Sequence, residues 1–241
     1  MASQGLIKQH MCALLDVDAM IALLAKAKIS KPLSAFLNGQ LKDGQAFYDL
    51  FAGSCNVISK IDSNRNRYAN DMHKELIAMW QYVLSGGELP TEITEAQYQE
   101  IKQSQTAPDW LKAFVGFGCS FAGKWWGGYA SSGDRNYCAN ARNSTLKKAS
   151  TMTGVVFTNG SYKDVVPEPS SMLHCDIPYR NTTGYSTGSF SHGIHRRREH
   201  RNVQANGFGE LRAQVGSIRQ NGGMSGNEED VVKRQCFFSN T

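Results

Sequence analysis

The stretch HCDIPYRNTTGY, residues 174–185, sets one carboxylate, Asp176, in front of Ile177, Pro178 and Tyr179, at the end of an apolar run. A carboxylate and an aromatic ring at a strand end suit a catalytic loop, and they suit equally a polar turn that contains an aromatic. A second such place is DLFAGSCN, residues 49–56, which joins Asp49 at a strand end to a turn at Gly53. In an open parallel sheet, ligands gather at the carboxyl ends of the strands. Gly53 would let a ligand approach the backbone closely, and Asp49 could meet a cationic group such as the amine of a methionine moiety. Further along, Asp71 closes another short run, where a carboxylate can accept both hydroxyls of a ribose.

Together these residues describe a nucleoside pocket. The glycine turn lacks the G-x-G-x-x-G that cradles a pyrophosphate, and no G-x-x-x-x-G-K-[ST] occurs. A nucleoside without phosphates, such as S-adenosylmethionine, therefore fits better than a dinucleotide. Each piece also has a plainer reading. A strand–glycine–helix turn is common α/β architecture, and Asp71 alone could be a helix N-cap.

The elements that must position these groups can be read from periodicity. GQAFYDLF reads as a strand ending at Phe51, followed by a turn at Gly53 and a helix. RNRYAND reads as a second strand, and DMHKELIAMWQYVL places Leu76, Ile77, Trp80, Val83 and Leu84 on one helix face. Strand–helix–strand–helix order predicts parallel pairing with right-handed crossovers, hence a Rossmann-like α/β sheet. Periodicity fails over residues 85–150, which read as an inserted lobe, and returns in the candidate strands GVVFTNGSY and SSMLHCD. The sheet domain is then built from residues 1–84 and 151–241. Beyond Phe190 no strand pattern is legible, and HGIHRRREHR is a dense basic run.

Composition bounds this picture. A chain of 241 residues, 41% hydrophobic and 20% charged, can bury one sizeable core, with or without a small inserted lobe. The net charge of +5 favours an anionic partner without requiring one. The six cysteines form no C-x-x-C pair, which argues against a zinc knuckle and fits reduced thiols in a cytosol. The apolar stretch MCALLDVDAMIALLAKAK is interrupted by Asp16 and Asp18, so it reads as an amphipathic helix and not as a signal peptide or membrane span. His192, His195 and His200 lack a supporting carboxylate or thiol spacing, so a solvated basic surface is expected there and no metal.

Six strings occur in a telling order: FYDLFAGSCNVI, NDMHKELIAMW, FVGFGCSFAGKWWGGYA, DRNYCA, VVFTNGSY and CDIPYRNTTGYSTGSF. In this order they closely resemble the Dam-like, phage-type family of DNA adenine-N6 methyltransferases, over roughly Lys26 to Phe190. The resemblance implies a Rossmann-like S-adenosylmethionine fold, with a target-recognition insert between cofactor and catalytic motifs. It implies that Asp49, Phe51, Gly53 and Asn56 line the methionine end of the cofactor, that Asp71 holds the ribose, and that Lys26 matches a lysine of the N-terminal motif. It places Asp176, Ile177, Pro178 and Tyr179 on the family's catalytic D-P-P-Y.

The chemistry then expected is specific. The exocyclic amine of adenine is a poor nucleophile because its lone pair is delocalised into the ring. Two acceptors, the Asp176 carboxylate and the Ile177 carbonyl, would hold its hydrogens and free the lone pair for the methyl group. Positioning of this kind can reduce a barrier by roughly 7–11 kcal/mol in well-oriented cases. Tyr179 would stack on a base flipped from the duplex, for which base–aromatic stacking is worth ~1–3 kcal/mol.

Three departures from the family stand out. Ile177 replaces a proline but keeps the carbonyl, and its place before Pro178 favours extended dihedrals. Ser161 stands where the family has an aspartate on the cofactor's adenine amine, so that hydrogen bond would lack charge assistance. Ala22, Leu23 and Leu24 replace the family's aromatic–x–Gly. In the insert, Lys124, Arg135 and Arg142 are offered to phosphates of double-stranded DNA, with Trp125, Trp126 and Tyr129 available for stacking or wedging, or else for lobe packing.

After Phe190 the family's closing helix and strand are replaced by an Arg-, Gly- and Asn-rich tail. Such a composition buries little. It reads as a frame change or gene decay that replaced the closing strands, or else as a basic arm. The expected activity is adenine-N6 methylation of duplex DNA in the cytoplasm of a bacterium or of a phage-infected host, with a restriction partner conceivable. The alternatives are methylation of the exocyclic amine of cytosine, and a catalytically impaired DNA-binding remnant. Methylation at cytosine C-5 is disfavoured because there is no Pro-Cys loop to supply a nucleophile.

Overall fold

The structure is a computed structural model that describes residues 30–176 and 236–239. Lys26, Ile177, Pro178, Tyr179 and the basic run near residue 198 lie outside the described residues. The first element, α1, covers residues 30–40 and buries Leu33 and Leu37 one helical turn apart. The elements that follow are β1 (Phe47–Asp49), β2 (Arg67–Asp71), α2 (Lys74–Leu84), α3 (Glu95–Gln103), α4 (Asp109–Ala113), α5 (Tyr137–Ala149), β3 (Val156–Asn159), β4 (Met172–Cys175) and β5 (Cys236–Ser239).

The strands form one mixed sheet in the order β3-β2-β1-β4-β5. β1 pairs in parallel with both β2 and β4, and β2 with β3. β1 is therefore central, and every one of its residues is buried, as expected of a parallel strand covered on both faces. Side chains alternate between the faces. Phe47, Ala69 and Met172 join the larger core with α1 and α2, while Ala46, Tyr48, Leu50, Leu173 and Cys175 join a smaller cluster with Tyr162 on the other face. In-register neighbours go to the same face, so Tyr48 stacks on Tyr68 with centroids 4.3 Å apart. The Rossmann-like α/β reading is borne out in its central parallel sheet.

The helix read over the DMHKELIAMWQYVL stretch is present as α2, with Leu76, Ile77, Trp80 and Val83 buried. Two other expectations are corrected. No α-helix follows Gly53: the chain makes turns and a single 3-10 turn at Ile58–Lys60. The left-handed backbone of Gly53 (φ 48°) and Cys55 (φ 55°) interrupts the right-handed run that a helix needs. A strand also exists beyond Phe190, since β5 pairs antiparallel with β4.

Residues 85–150 carry three helices although no apolar stripe announces them. α3 buries only Tyr98, and α5 only Cys138 and Ala149. α3 instead starts on a capping box between Thr94 and Gln97, and α5 on the side chain of Asn136, which accepts from the Ala139 N–H at 2.8 Å. Between α4 and α5, Phe114–Gly118 forms a π-helical turn whose Phe114 and Val115 are buried in the same cluster as α1 and α2. The chain leaves this region beside a buried arginine. The Arg67 guanidinium donates to the carbonyls of Ile61 (3.1 Å), Thr151 (2.8 Å) and Thr153 (2.8 Å).

Candidate functional site

Winding from β1 to β2 and β3 on one side, and then back to β4 on the other, makes the end of β1 the topological switch point. Crevices for ligands open there in such sheets. The parallel register pairs Asp49 with His174, and the Leu50 N–H donates to the His174 carbonyl at 3.0 Å. Continuing that register, Asp176 lies just past the end of β4, level with Phe51 just past the end of β1. The structure thus brings Asp49, Phe51, Gly53, Asp71 and Asp176 together at one edge of the sheet.

Asp71 organises the edge. Its Oδ2 accepts the Gly53 N–H at 2.8 Å, and its Oδ1 accepts the His73 N–H at 2.8 Å. One carboxylate thereby ties the loop after β1 to the start of α2. Burial pushes its pKa above the ordinary carboxylate value, against the pull of these two amides. Each oxygen keeps a second lone pair, so the group can still accept hydroxyls.

The Gly53 turn is fixed from several sides. Trp80 of α2 donates its Nε1–H to the Gly53 carbonyl at 3.1 Å. A Cβ built on Gly53 would meet only the Phe51 carbonyl at 3.9 Å and Asp71 Oδ2 at 4.0 Å, so there is room beside the turn. A side chain would still have to adopt φ 48°, where glycine alone is at ease. Asn56 spends its side-chain amide on Ser54 Oγ at 2.8 Å. Phe51 leans on Tyr162, with ring centroids 5.3 Å apart. Ser161 caps the short turn that carries Tyr162, its hydroxyl accepting the Lys163 N–H at 3.3 Å.

Asp49 is 2% exposed, and its Oδ1 lies 3.1 Å from Nδ1 of His174, itself 1% exposed. This buried pair joins the strand before the glycine turn to the strand before Asp176. Sequence reasoning missed His174. Its one signal was its place two residues ahead of Asp176, which puts both side chains on the same side of a strand. Cys55 is fully buried, and burial with the nearby Asp49 carboxylate pushes its thiol pKa well above the ordinary value, so it is a packing residue with no nucleophilic character.

In the insert, Trp125 packs edge-on to His73 (4.4 Å) and against Phe117 (4.8 Å), and Trp126 packs edge-on to Tyr98 (5.2 Å). Tyr129 also meets Tyr98 (5.7 Å) and donates its hydroxyl to the Ile93 carbonyl at 2.7 Å. A Cβ on Gly116 would strike Trp125 at 2.5 Å, which is why a glycine stands beneath the two tryptophans. Arg142 gives its Nε–H to the Leu89 carbonyl at 3.2 Å, whereas Arg135 is exposed on the loop before α5. Lys124 is half-buried beside the tryptophans. Among the described residues no group of three His, Cys, Asp or Glu side chains could hold a metal ion, and no helix is long and apolar enough to cross a membrane.

No curated protein matches the chain. Residues 26–112, which run from before α1 into α4, match the family described as D12 class N6 adenine-specific DNA methyltransferases. The matched segment contains the Asp49–Gly53 turn and Asp71, and it ends before Asp176. Over that segment the chain is thus similar to a Dam-like family of adenine-specific DNA methyltransferases.

Proposed function

We propose that this chain transfers a methyl group from S-adenosylmethionine to the N6 amine of an adenine flipped out of duplex DNA. The observation that carries the reading is the edge described above, where a glycine turn with room beside it, the Asp71 carboxylate with its remaining lone pairs and the Asp176 carboxylate just past the end of β4 converge. The bound cofactor supplies the electrophilic methyl group. Asp71 holds ribose hydroxyls through its remaining lone pairs, and the Gly53 turn, with Asp49, Phe51 and Asn56, receives the methionine end. Lys26 and Ser161 complete that site at its two ends.

Asp176 accepts one hydrogen of the target amine, and the Ile177 carbonyl accepts the other. Held in this way, the nitrogen directs its lone pair away from the ring. Pro178 stiffens the loop, and Tyr179 stacks on the extruded base. Residues 85–150 serve as the target-recognition lobe, with Lys124, Arg135 and the outer nitrogens of Arg142 on phosphates. Trp125, Trp126 and Tyr129 shape the surface that meets the duplex, with only their outer edges available to a base.

Product analysis with radiolabelled cofactor tests the reading. N6-methyladenine is the expected product, and N4-methylcytosine in its place would move the assignment to the cytosine amine. Asp176→Ala should abolish transfer while calorimetry still detects cofactor binding. Loss of both would remove Asp176 from its proposed role, and an unaltered chain that binds no cofactor would be a DNA-binding remnant.

A further inference from the structure

The carbonyls of the glycine turn are held from outside by three side chains, and one of them comes from the insert. Lys148, in the last turn of α5, donates from Nζ to the Ser54 carbonyl at 2.8 Å. Ser54 sits between Gly53 and Cys55, both left-handed, so its carbonyl is the middle of the least relaxed part of the turn. Lys60 reaches the same turn by donating to the Asn56 carbonyl, and it also donates to Ser30 Oγ at 3.0 Å. Trp80 holds the Gly53 carbonyl. Of the three, Lys148 alone belongs to the 85–150 insert, and it reaches Ser54 across 94 positions of sequence.

We propose that Lys148 is a positioning residue for the cofactor site, which fixes the left-handed Gly53–Cys55 turn by its Ser54 carbonyl and thereby makes cofactor affinity depend on the seating of α5. The proposal rests on the reading of that turn as the methionine end of the site. A charged donor holds a carbonyl more firmly than a neutral amine does. Burial, with the Lys60 ammonium nearby, lowers the pKa of Lys148 to about 8, opposed by the Cys55 thiol, the other titratable group facing it. A lysine with a depressed pKa is charged below that value, so its grip on the turn weakens as pH rises through about 8.

The test is isothermal calorimetry of S-adenosylmethionine with the full chain, with K148R and K148M, and with K147M at the exposed neighbour as control, from pH 6.5 to 9.5. Taking the ratio of the unaltered chain's Kd to that of K148R cancels titration of the ligand's own amine. This ratio should rise on the order of fivefold through pH about 8, because only the unaltered chain loses its charge there. K148M should bind on the order of tenfold more weakly at pH 7 and keep its thermal midpoint, while K147M matches the unaltered chain. If K148M does not fold, the K148R ratio decides by itself. A flat ratio, or a folded K148M with unaltered affinity, overturns the role of Lys148 while leaving the cofactor site in place. Absence of binding by the unaltered chain overturns the site and this inference together.

Discussion

Asp71 shows how one side chain can serve the fold and the proposed site at once. Its raised pKa means that the folded protein holds a proton more tightly than the unfolded chain does. Stability from this group is thus present at low pH and is lost as pH climbs from the ordinary carboxylate range through the raised value. Asp71→Asn does not titrate, so the denaturation midpoint of the unaltered chain should fall relative to that of the variant across this window, and parallel pH profiles would contradict the assignment. Asp49, Gly53 and Asp71 were legible in the sequence because their spacing follows the rhythm of strand, turn and strand. His174, Trp80 and Lys148 were not. Each meets its partner through tertiary contact, with 125 positions between His174 and Asp49, 27 between Trp80 and Gly53, and 94 between Lys148 and Ser54.

Among the elements, those with a clear apolar period were the ones that could be read. β1 and β2 alternate between two cores, and α2 buries one face. The insert escaped because α3 and α5 are held by caps and by a few buried residues at their ends, which leave no stripe. The turn after Gly53 escaped because left-handed backbone at a cysteine has no compositional sign. Where the chain returns from the insert to the sheet, it is tied to β2 by Arg67, which is 2% exposed and holds the Ile61, Thr151 and Thr153 carbonyls. Arg67→Ala should strip three carbonyls of their donor and cost on the order of 3 kcal/mol. A urea midpoint unchanged from the unaltered chain would show that water replaces the guanidinium at no cost.

For the molecule as a whole, the insert shares its core with the sheet. Tyr98, Phe114 and Cys138 belong to the same cluster as Phe47 and Trp80. A duplex held by Lys124, Arg135 and Arg142 would therefore press on a body continuous with the proposed cofactor site. With the chain's net charge of +5, duplex binding should weaken steeply with salt, and Arg135→Ala should reduce the slope of log K against log salt by about 1. An unchanged slope would take Arg135 off the phosphates.

The two amides that share the Asp71 carboxylate have a common fate. The backbone hydrogens of Gly53 and His73 end on the two oxygens of one group. Whatever pulls that group aside unseals both, so in deuterated solvent the two protons should disappear in step, and ribose-bearing ligands should slow them together.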